Sequence, residues 1–180
     1  MTPRYIIIAI VIFLAVFAGW LYYERYQATQ LVEQSATNYN VQAFLKAIRY
    51  AEGTDGANGY RTMFTGKLFD SYTDHPRQLN CSGSLCSTAA GAYQFLSATW
   101  DDLRLALGLN DFSPANQDKG AIELIRRKNA LNDVTEGRFE TAIAKVNTVW
   151  ASLPGAPYGQ PTKTMAQLKQ VYTGNGGNFA

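Results

Sequence analysis

A single histidine, His75, and only two cysteines, Cys81 and Cys86, stand in 180 residues. That scarcity removes whole classes of chemistry. A nitrogen- or sulfur-ligated metal centre lacks the ligands it needs, so metal catalysis is not expected and no cofactor is called for. A cysteine peptidase or amidase would have to use Cys81 with His75, and no third residue is in view to orient the base. Lys and Arg number 16 against 14 Asp and Glu, for a net charge of +2, and they are scattered. Nucleic acid needs a basic stripe or cluster, so it is not an expected partner. Internal repeats and low-complexity arrays are also missing.

Charge is absent from Tyr5 to Tyr23, a run rich in Ile, Val, Leu and Phe. As a helix at ~1.5 Å per residue it reaches roughly 28 Å, enough to cross a bilayer. Arg4 and the free amine precede the run, Trp20, Tyr22 and Tyr23 mark its far edge, and Glu24 with Arg25 follow without net charge. This asymmetry predicts an inner-membrane span with its N-terminus inside and the remainder of the chain outside the cytoplasm. A cleaved signal peptide is the competing reading, but the run is long and no small-x-small cleavage site follows it, which favours an uncleaved signal anchor. Residues from about Glu24 to Ala36 read as a linker or helical stalk. The expected division is therefore 1–36, anchor and linker, and 37–180, a single globular domain whose roughly 145 residues suffice for one core. In a chain sent outside the cytoplasm, Cys81 and Cys86 are expected to close the short loop Cys-Ser-Gly-Ser-Leu-Cys as a disulfide.

Within the domain, Val41, Phe44, Leu45 and Ile48 recur at helical spacing, and Gly53 stops that helix. From Gly53 to about Leu79 the composition shifts to Gly, Thr, Tyr, Phe and Asp, with stretches around Tyr60–Phe64 and Lys67–Tyr72 separated by Thr65-Gly66, predicting a small hairpin or irregular β-lobe. Ser97 is expected to cap a helix with Asp101 and Asp102 in its first turn and Gly108 at its end, and Ser113-Pro114 to open another. Phe139, Ile143, Val146 and Trp150 form a further apolar stripe, Thr164 caps a short last helix, and the glycine-rich tail reads as flexible. The fold expected is α+β and mostly helical, with a small β-lobe inserted after the first helix of the domain.

Continuing the stripe of that first helix lands on Glu52. Apolar surroundings oppose its ionisation and the negative end of the helix dipole repels it, and both raise its pKa. A carboxyl still protonated near neutral pH suits the work of a general acid. The alternative is a surface glutamate at a frayed helix end, paired with Arg49. At the junction of helical body and β-lobe, a general acid points to glycosidic cleavage. A conventional glycosidase needs a second carboxylate, for which Asp55, Asp70 and Asp74 are candidates, although Asp55 and Asp74 have turn-forming roles available and His75 reads as structural.

Gly91-Ala92-Tyr93-Gln94 resembles the Gly-x-x-Gln signature of lysozyme-like lytic transglycosylases. Ala51-Glu52-Gly53-Thr54-Asp55, Leu68-Phe69 with Tyr72-Thr73-Asp74-His75-Pro76-Arg77, Asp111-Phe112-Ser113-Pro114 with Gln117-Asp118, and Trp150-Ala151-Ser152-Leu153-Pro154-Gly155 with Tyr158-Gly159-Gln160 extend the likeness. In order and spacing, from about Val41 to Tyr172, the chain resembles the endolysins of bacteriophage lambda and its relatives. The resemblance implies a lysozyme-like fold and a peptidoglycan lytic transglycosylase. Its one catalytic glutamate, matched by Glu52, protonates the oxygen between N-acetylmuramic acid and N-acetylglucosamine, then as base helps the muramyl C6 hydroxyl close a 1,6-anhydro ring. No second carboxylate is then required. Gln94 matches the glutamine lining the cleft, and Tyr93, Tyr158 and Gln160 complete the expected substrate-binding set, with core packing the alternative for either tyrosine.

The chain departs from these relatives in its anchor and its Cys81–Cys86 loop. It resembles signal-anchor endolysins, which implies a monomeric enzyme tethered to the host inner membrane, with its domain in the periplasm, acting on peptidoglycan strands after release. Two rivals remain: a hydrolytic muramidase using Glu52 with an aspartate and water, and a catalytically silent, membrane-tethered wall-binding module.

Overall fold

The structure, a computed structural model, describes residues 3–180. The free amine invoked for the topology lies outside them. Helix α1 (Pro3–Ser35) runs unbroken through both the apolar run and the polar stretch behind it, so the segment after the apolar run is a helical stalk. Residues from Ile6 onward form the one described helix long and apolar enough to cross a membrane, with mean hydropathy 2.5. Its side chains from Ile6 to Tyr23 are exposed on every face, an arrangement that water penalises and lipid favours. The stalk end behaves differently. Val32 is 1% exposed, and Glu33 Oε1 meets Lys119 Nζ at 2.5 Å.

A turn at Ala36–Asn38 leads into α2 (Tyr39–Ala51), whose first turn is capped by the Asn38 side chain accepting from the Val41 amide at 3.2 Å. Six residues of α2, Val41, Ala43, Phe44, Leu45, Ala47 and Ile48, are completely buried. Five further helices follow, α3 (Ser97–Leu107), α4 (Pro114–Arg127), α5 (Leu131–Thr135), α6 (Phe139–Val146) and α7 (Met165–Gly174), of which α4, α5, α6 and α7 pack on this rod and α3 packs on α4 and α1. One aromatic cluster joins Phe69, Phe95, Trp100 and Phe112, with Trp100 and Phe112 edge-on at 4.6 Å between centroids; a second joins Phe44, Phe139 and Tyr172.

Several local expectations shift. The paired strands are β1 (Asn80–Ser82) and β2 (Leu85–Ser87), antiparallel with Cys81 opposite Cys86, and these cysteines are disulfide-bonded. The sheet thus lies at the cysteine loop. The stretch from Gly59 to Tyr72 makes a 3-10 turn (Gly59–Arg61) and, around Thr65-Gly66, the small irregular hairpin expected there, with isolated bridges from Thr62 to Leu68 and from Met63 to Ala90. Ser97 is the first residue of α3, Leu96 precedes it as the cap position, and Asp101 and Asp102 lie beyond the first turn. Helix α6 ends at Val146, so Trp150 is buried from a loop. Thr164 does cap α7, through a reciprocal capping box with Gln167. The glycine-rich tail is packed: the Asn178 amide donates to Asn40 at 2.8 Å, the Ala180 amide to Gly137 O at 3.1 Å, and Phe179 stacks on Tyr172. Glycine content suggested freedom, but the terminal aromatic supplies the apolar contact that holds the tail down.

Candidate active site

Glu52 is the C-cap of α2, its amide bonded to Ile48 O at 2.9 Å, and Gly53 follows in the left-handed region at φ 71°. The carboxyl is half-buried, and Oε1 accepts from the Ser152 hydroxyl. Arg49, the alternative partner, points elsewhere. Burial pushes the Glu52 carboxyl above the usual glutamate range, while hydrogen bonds from the Ser152 side chain and backbone pull in the opposite direction.

Arg49 lies one turn earlier on α2 and enters a half-buried cluster that composition and spacing did not reveal. Asp118 Oδ1 on α4 accepts from Tyr60 Oη at 2.7 Å and from Tyr93 Oη at 2.6 Å. Arg49 Nη1 sits 3.6 Å from the same oxygen and also donates to Tyr60. Burial raises the Asp118 pKa, with the two tyrosine hydrogen bonds and Arg49 opposing the shift. Thr54, which follows the helix end, is buried and donates from Oγ1 to Ala92 O at 2.6 Å. Gln117 is fully buried; it accepts from the Ala92 amide at 2.8 Å and donates to Tyr60 O and Phe112 O. Together these bonds pin the C-terminal end of α2 to the Gly91–Gln94 turn and to α4. The turn itself is closed by reciprocal Ala90–Phe95 backbone bonds at 3.0 and 2.9 Å.

Gln94 occupies that turn at φ 47°, a left-handed conformation that a non-glycine residue holds only under constraint. Its Nε2 donates to Thr62 O at 3.0 Å and Gly91 O at 2.9 Å, and its Oε1 takes no hydrogen bond among the described residues. Tyr93 is 1% exposed, with its hydroxyl on Asp118 and its carbonyl accepting from the Trp150 indole at 3.1 Å. Its ring therefore packs in the core, the alternative left open for it, with its hydroxyl directed to Asp118. Tyr158 is 53% exposed and donates to Thr148 O at 2.7 Å. Thr148, Val149 and Trp150 share a depression of about 260 Å³ with Gln94. Gln160 is exposed and forms no hydrogen bond among the described residues. Gln94, Tyr158 and Glu52 are thus all tied to the segment from Thr148 to Ser152.

The three aspartates considered as partners for Glu52 have other settings. Asp70 is fully exposed beside Arg61, Asp74 is held by Arg77 and Arg104 within a group that includes Asp101, and Asp55 is exposed. His75 is structural: buried, with Nε2 at 2.9 Å from Phe95 O and Nδ1 accepting from the Arg77 amide at 3.0 Å. That carbonyl contact assigns the ring proton to Nε2. No group of three or more metal-ligating side chains occurs among the described residues.

A helical body with a small two-stranded hairpin and a lone, half-buried glutamate at the end of the central helix defines a lysozyme-like glycosidase. An endolysin family model matches residues 42–179, and the chain belongs to that family. It is 44% identical over 130 residues to the endolysin of Escherichia phage lambda, covering 68% of this chain and 82% of that one. Against the endolysin of Escherichia phage P2 it is 40% identical over 158 residues, covering 78% and 95%. Among solved structures, bacteriophage lambda lysozyme complexed with a chitohexasaccharide superposes with a TM-score of 0.77 at 40% identity, over 79% of this chain and 97% of that one.

Proposed function

We propose that this lysozyme-like endolysin is a lytic transglycosylase that cleaves the β-1,4 bond between N-acetylmuramic acid and N-acetylglucosamine in peptidoglycan. The observation that carries this reading is the solitude of Glu52: a half-buried carboxyl, raised by burial, held by a serine, and with the nearby sequence candidates for a second carboxylate engaged or exposed. One carboxyl can donate a proton to the leaving oxygen and later accept one from the muramyl C6 hydroxyl, as microscopic reversibility requires. Ring closure then replaces hydrolysis, and the product ends in 1,6-anhydro-muramic acid. Gln94, with a free amide oxygen, and the exposed Tyr158 are assigned to the glycan, with Gln160 beside them.

Residues 5–23 are assigned to the inner membrane and residues 37–180 to the periplasm, where a monomeric enzyme meets the wall and, once released from its anchor, lyses the host. The exposed apolar surface of α1 supports this placement. Mass spectrometry of digested sacculi tests the chemistry: anhydro ends, lighter by one water than reducing ends, are expected from the wild type and none from Glu52→Gln. Reducing muramic ends from the wild type would assign hydrolysis instead.

A further inference from the structure

Lys163 has no place in the chemistry described so far, yet its backbone is tied to the residue that holds Glu52 and its ammonium to the last turn of α2. Its backbone amide donates to Ser152 O at 3.1 Å, and Ser152 is the residue whose hydroxyl holds the Glu52 carboxyl. Its ammonium lies 5.1 Å above the centre of the Tyr50 ring, two residues before Glu52 on the chain. Lys163, like Lys46, Lys67 and Lys128, takes part in no ion pair among the described residues, whereas Lys119, Lys145 and Lys169 do, and of the unpaired four only Lys163 rests on an aromatic ring. A cation over an aromatic face gains modestly from the ring and keeps its three N–H donors for another acceptor. The side chain is half-buried, and its stem is steadied by Tyr50 rather than free to wander.

What such a charge can recognise follows from the polymer. The two amino sugars are neutral, and the negative charge of peptidoglycan resides in the carboxylates of the peptide stem, carried by the lactyl group of the muramyl residue on one side of the scissile bond. We infer that Lys163 is a specificity-determining residue that binds a stem carboxylate and so favours peptide-bearing glycan over bare glycan. The inference rests on peptidoglycan as substrate but not on the choice between transglycosylation and hydrolysis. Tyr50 supplies the platform, and the Lys163–Ser152 backbone bond ties the residue to the segment that holds Glu52.

The test uses the full-length protein on soluble peptidoglycan strands, and on the same strands with their stem carboxylates converted to neutral amides. For the wild type, neutralising the stems is expected to raise KM about 3- to 10-fold with kcat unchanged, the range of a partly exposed charge-assisted contact. Lys163→Gln is expected to show that higher KM on both substrates, and Lys163→Arg to restore discrimination. The wild-type preference should also weaken with added salt. If Lys163→Gln still discriminated charged from neutral stems as the wild type does, or lost activity equally on both in kcat, the residue would serve only to shape the loop and the inference would fall. The identity of the product ends, read in the same digests, judges the transglycosylase reading separately.

Discussion

Glu52 stands at the negative pole of α2, and burial at the end of the apolar stripe pushes its carboxyl pKa upward. The sign sets two outcomes. An acid whose folded pKa exceeds its unfolded one contributes its full share of stability below the unfolded pKa and loses it as pH rises through the folded pKa. Glu52→Gln should therefore melt higher than the wild type near neutrality, with the gap widening as pH rises and closing in acid, while lytic activity drops about 10²- to 10⁴-fold, the range of lost general acid catalysis. Thermal melts across pH check the first part, and turbidity clearance the second. Ser152 acts on the same proton from the other side. Its hydroxyl and amide stabilise the carboxylate, so Ser152→Ala should move the alkaline limb of the rate profile to higher pH. A limb that stayed in place would mean that the serine does not reach the ionised carboxyl in solution. Glu52 was legible in the sequence because helical periodicity and a stop glycine locate it. Ser152 lies 100 residues away in the chain, and no local pattern couples the two.

Among the elements, those with strong local signals formed where periodicity and caps placed them: α2 by its apolar stripe, α4 by Ser113-Pro114, α7 by Thr164 and Gln167. What sequence could not resolve was pairing between segments. The β-lobe expected around Thr65-Gly66 is present as an irregular hairpin held by isolated bridges, while the regular ladder forms at the cysteine loop, where a disulfide-linked pair with a Gly83 turn needs no other registration. The Arg49–Tyr60–Tyr93–Asp118 cluster escaped for the same reason, its four members coming from four separate segments. Such non-local contacts make Gly59 a sensitive position. A Cβ there would lie 1.6 Å from Thr54 O, and Thr54 joins the end of α2 to the Gly91–Gln94 turn. Gly59→Ala should therefore cost about 3 kcal/mol or more, as forced overpacking of backbone does. Chemical denaturation would register this as a lower midpoint at unchanged slope. A neighbouring exposed glycine with open space around it, Gly56, provides the control, because its alanine variant meets nothing within 4 Å.

At the scale of the whole molecule, α1 joins an exposed apolar half to a packed polar half without a break, and its stalk is seated on the domain rather than hanging as a loose tether. Val32 is buried against the body, Glu33 reaches Lys119 on α4, and Arg25 Nη2 lies 3.1 Å from where a Cβ on Gly108 would stand, at the end of α3. The turn at Ala36–Asn38 coincides with the proposed boundary at 36/37, but the packing crosses it. A docked stalk fixes how the apolar part of α1 leaves the domain, whereas a flexible linker would let it swing. The consequence can be measured on the detergent-solubilised full chain. Val32→Asp places an unpaired carboxylate in a buried apolar site and should lower domain stability by about 2–4 kcal/mol. Leu31→Asp, on the neighbouring face and 47% exposed, should change it by about 0.5 kcal/mol or less. Equal melting of the two variants would show that the stalk leaves the body in solution, and the anchor would then be a leash and not a mount.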